Sequence, residues 1–423
     1  MTHPDDRSST PSLTRRAALA RFGCLAGGAT CIFPARLAKS DDNLIAGIER
    51  SVIFPGRQGG TTWFHPRPCM VPTKNGPRAL MTLQSITGSD VFGPVHETHS
   101  TDLGKTWIEP QPIPGLGRQS LGDDWEMGVC DVVPEYHPPT GVTLAVGHNV
   151  YYKNGVLAQP QRKRWPVYIV RRQDGSWGEP QRLEWDDPRA TAIYTNNCAQ
   201  RVTLSDGDVL MAFSFGPQGR AYRSAAVARC AFDGQRLVVR TVGNEMTNTA
   251  GRGFLEPSLT ELDGRFYLTL RAEDNRGYVS SSDDGRQWET PRPWCWDDGE
   301  PLTMSTTQQH WLPHSDALFL VYTRRAEENR AVFRWRAPLY LAEVDRATLR
   351  LKRDTERVVL PMIGDGINRP QEVARMGNFH TVAATPDESW VTVGETLPAN
   401  QWRGDTLLAR IRWSRPNRLA LPA

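Results

Sequence analysis

His148 lies between Gly147 and Asn149, shortly after Glu135-Tyr136-His137, and Tyr194-Thr195-Asn196-Asn197 follows with Arg201. Polar side chains gathered around strand ends are costly unless satisfied, so such a set either lines a functional mouth or forms a hydrogen-bonded interior patch. An imidazole titrates near neutral pH, so His148 could give or take a proton; His380 and Glu372 carry the same two readings. Of the 50 basic residues, six are Lys and 44 are Arg. Arginine grips a carboxylate through a planar fork, although a GC-rich genome produces the same excess. No His or Cys pair has zinc spacing, and there is no calcium loop and no glycine-rich phosphate loop. The residues therefore imply no metal and no cofactor. A net charge of +3 with acids and bases interleaved provides no field for a nucleic-acid partner.

These residues need a scaffold, and the 423-residue chain gives a repetitive one. From Ile45 onward short apolar runs alternate with Gly, Asp and Asn turns. Ala79–Gln84, Thr143–Gly147, Val167–Val170, Val209–Phe213, Phe266–Leu270, Leu318–Tyr322, Leu339–Val344 and Leu407–Ile411 are such runs. Their length and composition predict strands, and an extended 3.6-residue period is nearly absent. The 36 Gly and 32 Pro fit many tight turns.

The N-terminus differs. Arg15-Arg16 is followed by a small, apolar run from Ala17 to Pro34 and small residues at Ala35 and Ala38, which predicts a twin-arginine export signal over residues 1–38. The mature protein is then periplasmic or secreted. No later segment is long and apolar enough to span a membrane. Beyond Ala38 remain Cys69, Cys130, Cys198, Cys230 and Cys295, whose spacings define no disulfide framework and suit buried small hydrophobes.

Ser100-Thr101-Asp102-Leu103-Gly104-Lys105-Thr106-Trp107 and Ser281-Ser282-Asp283-Asp284-Gly285-Arg286-Gln287-Trp288 both match S-x-D-x-G-x-x-W, and Gln173-Asp174-Gly175-Ser176-Trp177 is a degenerate copy. Ser and Asp can bond amides within a hairpin turn, Gly takes the left-handed position and Trp packs between sheets. This repeat resembles the Asp box of the sialidase superfamily. The full copies start at residues 100 and 281, 181 apart, or three blades of about 60 residues. The resemblance therefore implies an all-β, six-bladed β-propeller over residues 45–418, with four antiparallel strands per blade.

Sialidases hold a substrate carboxylate with three arginines. In Phe64-His65-Pro66-Arg67-Pro68, a loosened form of the family's F-R-I-P, the resemblance makes Arg67 the first. Glu256, Asp263-Gly264, Arg271 and the box at Ser281 follow in the family's order and make Arg271 the second; Arg336, before Ala337-Pro338-Leu339, is the third. Asp90 in the Gly-rich loop Thr87–Gly93 takes the place of the family's general acid, and an ordinary turn aspartate is the alternative. Glu256 becomes the activating carboxylate. The family's tyrosine nucleophile has no counterpart, because no Tyr follows Tyr340. Either Tyr340 or Tyr322 is recruited, or the chemistry differs. His148, Tyr194 and Arg201 meanwhile resemble the set of propeller polysaccharide lyases, in which a base removes a proton alpha to a uronate carboxylate. Exposed Trp63, Trp125 and Trp402 could stack on sugar rings or pack between blades.

The expectation is thus a monomeric, sialidase-like glycoside hydrolase acting on a terminal acidic sugar of a glycan. A lyase or non-sialic glycosidase, and a propeller that only binds glycans, are the alternatives.

Overall fold

The computed structural model describes residues 43–190, 192–195, 200–217 and 219–421, with only the backbone of 192–195. The expected export signal and Cys198 lie outside the described residues. Every apolar run named above falls inside a strand, and the helical elements are 3-10 turns of three residues. Six antiparallel sheets form in chain order. Their second strands are, in sequence, Gly76–Gly88, Val142–Lys153, Val209–Gly216, Arg265–Arg271, Ala317–Tyr322 and Glu388–Gly394. We number the blades 1 to 6 accordingly.

Consecutive blades pack face to face. Val209–Gly216 is buried along its whole length, because blades cover it on both sides, so its sequence reads as a continuous apolar run rather than an alternation. Trp288 sits in a core shared with Leu210, Ala212 and Val227 of blade 3. Trp107 packs with Trp390 of blade 6. The ring closes through the chain's own start. Ile45–Phe54 pairs antiparallel with Thr406–Trp413 and forms the outermost strand of blade 6.

The turn at Ser100 behaves as its spacing predicts. Gly104 N donates to Ser100 Oγ at 2.7 Å and Thr106 N to Asp102 Oδ1 at 2.9 Å. The turn at Ser281 is built one residue later than the motif suggests. Ser282 Oγ donates to Asp284 Oδ1 at 3.0 Å, and the same oxygen accepts from Arg286 N and Gln287 N at 2.8 and 2.7 Å. Asp283, the motif's aspartate, points outward with its side chain 93% exposed. Adjacent Ser-Ser and Asp-Asp pairs permit two registers, and the one used gives the aspartate two amide donors.

The first strand of each blade faces the hub, where no further sheet covers it. Its polar edge is satisfied by side chains instead. Thr381 Oγ1 of blade 6 donates to Trp311 O of blade 5 at 2.6 Å, and Gln200 Nε2 reaches the same carbonyl at 2.9 Å.

Candidate functional site

One mouth of the hub opens into a cavity of about 830 Å³. Asp90, His148, Glu256, Arg271 and Arg336 all line it, so five of the candidate site residues meet at one mouth. Arg271 ends the second strand of blade 4, and Glu256 sits at a bulge in the first, where its φ of 43° turns the side chain toward the mouth. Arg271 Nη1 donates to Glu256 Oε1 at 2.6 Å. The other carboxylate oxygen, Glu256 Oε2, is buried without a partner.

Arg336 comes from blade 5, immediately before its third strand. Its Nη2 donates to Thr306 O at 3.4 Å, while Arg271 Nε donates to Thr306 Oγ1 at 3.1 Å. One threonine therefore brings both forks together. Arg336 Nε has no acceptor. Burial first, and then the neighbouring Arg271 and Arg334, push the Arg336 guanidinium down to about 9. A buried cation beside other cations is relieved when an anion arrives. A Cβ on Gly377 would meet Arg336 Cδ at 2.6 Å, so glycine at that position leaves Arg336 its path.

Asp90 occupies the two-residue turn joining the second and third strands of blade 1, with φ 55°. It is exposed at the rim, and its charge bears on His65, Arg164 and Arg336.

Arg67, Arg201 and His380 are not at the cavity surface. Arg67 is fully buried. Its Nε and Nη2 donate to Asp131 Oδ1 at 3.1 and 2.7 Å, and Nη1 donates to Phe379 O. The cause is a bulge between Phe64 and Arg67, with His65 at φ 52°: the extra residues turn His65 to the cavity and Arg67 into the hub. The expected three-arginine clamp therefore has two members at the mouth. Arg201 is buried as well; it contacts Glu135 Oε2 at 3.6 Å and donates to Val133 O and Leu144 O at 3.1 and 2.9 Å. It holds blade 2 and does not join His148. His380 is buried, its ring centre 5.1 Å from that of His310. Tyr194 lies on the strand Ala192–Thr195, and its side chain lies outside what is described.

Neither candidate tyrosine reaches the mouth. Tyr322 donates to Glu356 Oε1 at 2.5 Å and Tyr340 to Glu328 Oε1 at 2.9 Å, both inside blade 5. Among the described residues no tyrosine lines the cavity. Trp402 does line it, whereas Trp63 packs with Met81 and Leu83, and Trp125 carries Arg162 at 3.8 Å.

Asp131 is the floor residue that the sequence did not signal. Burial opposes its charge, but Arg67, then His65 and His148, hold its carboxyl far below the usual range. It sits at φ 57° in a bulge of the blade 2 first strand, Trp125–His137. Beside it Cys130 Sγ lies 3.3 Å from His148 Nε2. Burial pushes the thiol well above its usual value and the imidazole well below, so both are neutral at pH 7. Cys69, Cys130 and Cys230 are buried and unpaired, as their composition suggested. Among the described residues no cluster of three or more His, Cys, Asp or Glu has the arrangement of a metal site, and no helix is long and apolar enough to cross a membrane.

No family model and no curated protein matches the sequence. Solved structures do share the fold. A protein of unknown function from Dyadobacter fermentans superposes with a TM-score of 0.58 at 15% identity, over 87% of this chain and 100% of that one. Trypanosoma rangeli sialidase, in complex with the inhibitor DANA, gives 0.58 at 15% identity, over 87% of this chain and 60% of its own. The Hadza microbial sialidase Hz136 gives 0.55 at 13% identity, over 83% and 66%. The chain thus spans about three-fifths of the T. rangeli enzyme's length. The architecture is a sialidase-like six-bladed propeller.

Proposed function

We propose that the hub cavity binds a terminal acidic sugar of a glycan and hydrolyses its glycosidic bond. The observation that carries this reading is the meeting of Arg271 and Arg336 on Thr306 beside a carboxylate with one unpartnered oxygen. Two forks converging on one point suit a carboxylate, which accepts two parallel charge-assisted bonds from each. In this reading Asp90, at the rim, protonates the departing oxygen. Glu256 has Oε1 fixed by Arg271 and Oε2 free, so it attacks the sugar directly or activates a water. A tyrosine nucleophile plays no part. Sialic and uronic acids both carry the required carboxylate.

A panel of chromogenic sialosides and uronides tests this. Release of chromophore that is lost in Glu256→Gln and shifted to high KM in Arg271→Ala supports the reading. No release from any acidic glycoside, with intact folding, removes it.

One observation favours a second chemistry. His148 lines the cavity as a neutral imidazole, and a neutral imidazole can accept a proton alpha to a uronate carboxylate. Rising ultraviolet absorbance from an unsaturated uronate, lost in His148→Gln, identifies that route. Export through the N-terminal twin-arginine segment would deliver either activity to glycans outside the cytoplasm, and cell fractionation checks it.

A further inference from the structure

The cavity holds more cationic charge than one carboxylate requires. Ten Lys and Arg side chains line it against four Asp and Glu. Arg252 and Arg271 are taken up by Glu273 and Glu256. Arg162, Lys163, Arg164, Arg334, Arg336 and Arg375 have no carboxylate within 4.0 Å among the described residues. Such an excess in a concave site costs self-repulsion unless an anion offsets it.

Five of these six cations fall into two groups, Arg375 standing outside both. Arg334 and Arg336 enter from blade 5. Arg162, Lys163 and Arg164 enter from the loop that leads into the third strand of blade 2, Pro166–Arg171. In a closed ring of six sequential blades, 2 and 5 are opposite, so the two groups face each other across the mouth.

The blade 2 loop is built to hold its cations. Gln161 Nε2 donates to Tyr151 O at 2.8 Å and to Ala158 O at 2.7 Å, and its Oε1 accepts from Tyr151 N at 2.9 Å. Arg164 Nε donates to the same Oε1 at 3.3 Å. Trp165 N is fixed by Asn149 Oδ1 at 2.7 Å, and Arg162 rests on Trp125. Long cationic side chains held by planned partners lose less entropy on binding an anion.

We propose that the cavity accepts an oligosaccharide bearing at least two acidic groups, one on Arg271 and Arg336 and the second on Arg162, Lys163 and Arg164. The inference rests on the acidic-sugar reading of the first group and adds a distal subsite. A carboxylate or a sulfate ester satisfies the second position equally well by charge, since Arg and Lys bind either.

The test measures binding by calorimetry. The ligands are a uronate monosaccharide, a uronate trisaccharide, a trisaccharide with one terminal uronate and one distal sulfate, and a trisaccharide with the terminal uronate alone. The wild-type chain is expected to favour both diacidic trisaccharides over the monoacidic one by about tenfold or more, which is the effect of one further charge-assisted contact. In Arg162→Ala/Lys163→Ala that preference falls to near parity, and added salt erodes it in the wild type. Preference for one diacid alone identifies the carboxylate or the sulfate source. The proposal is overturned if the monoacidic trisaccharide binds as tightly as the diacids, or if the double variant keeps the preference. It is also overturned if a single-stranded oligonucleotide matches the diacids in affinity and in sensitivity to the double variant. Diacid preference without cleavage of any acidic glycoside removes the hydrolytic reading and leaves the subsite; cleavage without the preference does the reverse.

Discussion

Arg271 and Arg336 come from different blades and meet on the two polar groups of Thr306, one on its hydroxyl and one on its carbonyl. Their spacing is therefore set by the contact between blades 4 and 5. Gly377→Ala places a methyl group against Arg336 and disturbs only that fork. We expect it to weaken binding of an acidic monosaccharide by about tenfold, as loss of a charge-assisted bond does. Calorimetry on the folded variant checks this.

The pair beneath the floor acts on stability. Asp131→Asn removes the charge that faces the buried Arg67 cation, and breaking such a pair costs about 3–5 kcal/mol. Arg67→Met combined with Asp131→Asn recovers a large part of that loss, because neither charge is then left alone. Urea denaturation of the three chains measures both. Equal stability of the single and double variants argues against the pairing.

Acid should loosen the hub before it affects the surface. His65, His148, His310 and His380 are buried with pKa values held below the ordinary one, chiefly by burial. The unfolded chain takes up protons near pH 6.5 that the folded chain refuses, so stability is full above that value and falls as pH drops below it. Each such histidine contributes a slope of about 1.4 kcal/mol per pH unit. Denaturation midpoints measured from pH 7.5 to 5, in about half-unit steps, should decline, with a shallower decline in His310→Gln/His380→Gln. A flat profile contradicts the burial of these rings.

The second hairpin turn offers a comparison of neighbours. Asp284→Ala removes an acceptor used by two amides and a hydroxyl and should cost about 1 kcal/mol, while Asp283→Ala, outward-facing, should stay within about 0.5 kcal/mol of zero. Thermal melts of the two variants decide. Equal effects would return the turn to the motif's register.

Tyr322→Phe and Tyr340→Phe remove hydroxyls bound to Glu356 and Glu328 away from the mouth. Turnover of the best acidic glycoside should be unaffected by either change, in contrast with Glu256→Gln. Loss of turnover in one of them, with unchanged melting, would make that tyrosine the nucleophile.

The strands were legible because a blade covered on both faces writes a continuous apolar run, as Val209–Gly216 does. Six blades followed from two repeated turns lying three sheets apart. Glu256 and Arg271 were legible because a hairpin fixes their order, and the ladder brings strand ends together. Arg67 was misplaced because a bulge at His65 changes which side chain faces the mouth, and no residue type announces it. Asp131 was missed for the same reason: its left-handed backbone lies in mid-strand at a residue that is not glycine. The Arg162–Arg164 group carries no motif that marks it in the sequence. Only the folded loop, pinned by Gln161, aims it inward.

Because Ile45–Phe54 completes the sheet that ends with Thr406–Trp413, no partial chain can form the finished wheel. A protein lacking either segment would leave blade 6 with a raw edge and blade 1 with an unsupported flank, loosening the ring that frames the mouth. Cutting the backbone at a surface turn elsewhere leaves this clasp intact. Joining the two ends and opening the chain between two other blades would therefore relocate the seam while preserving the binding mouth.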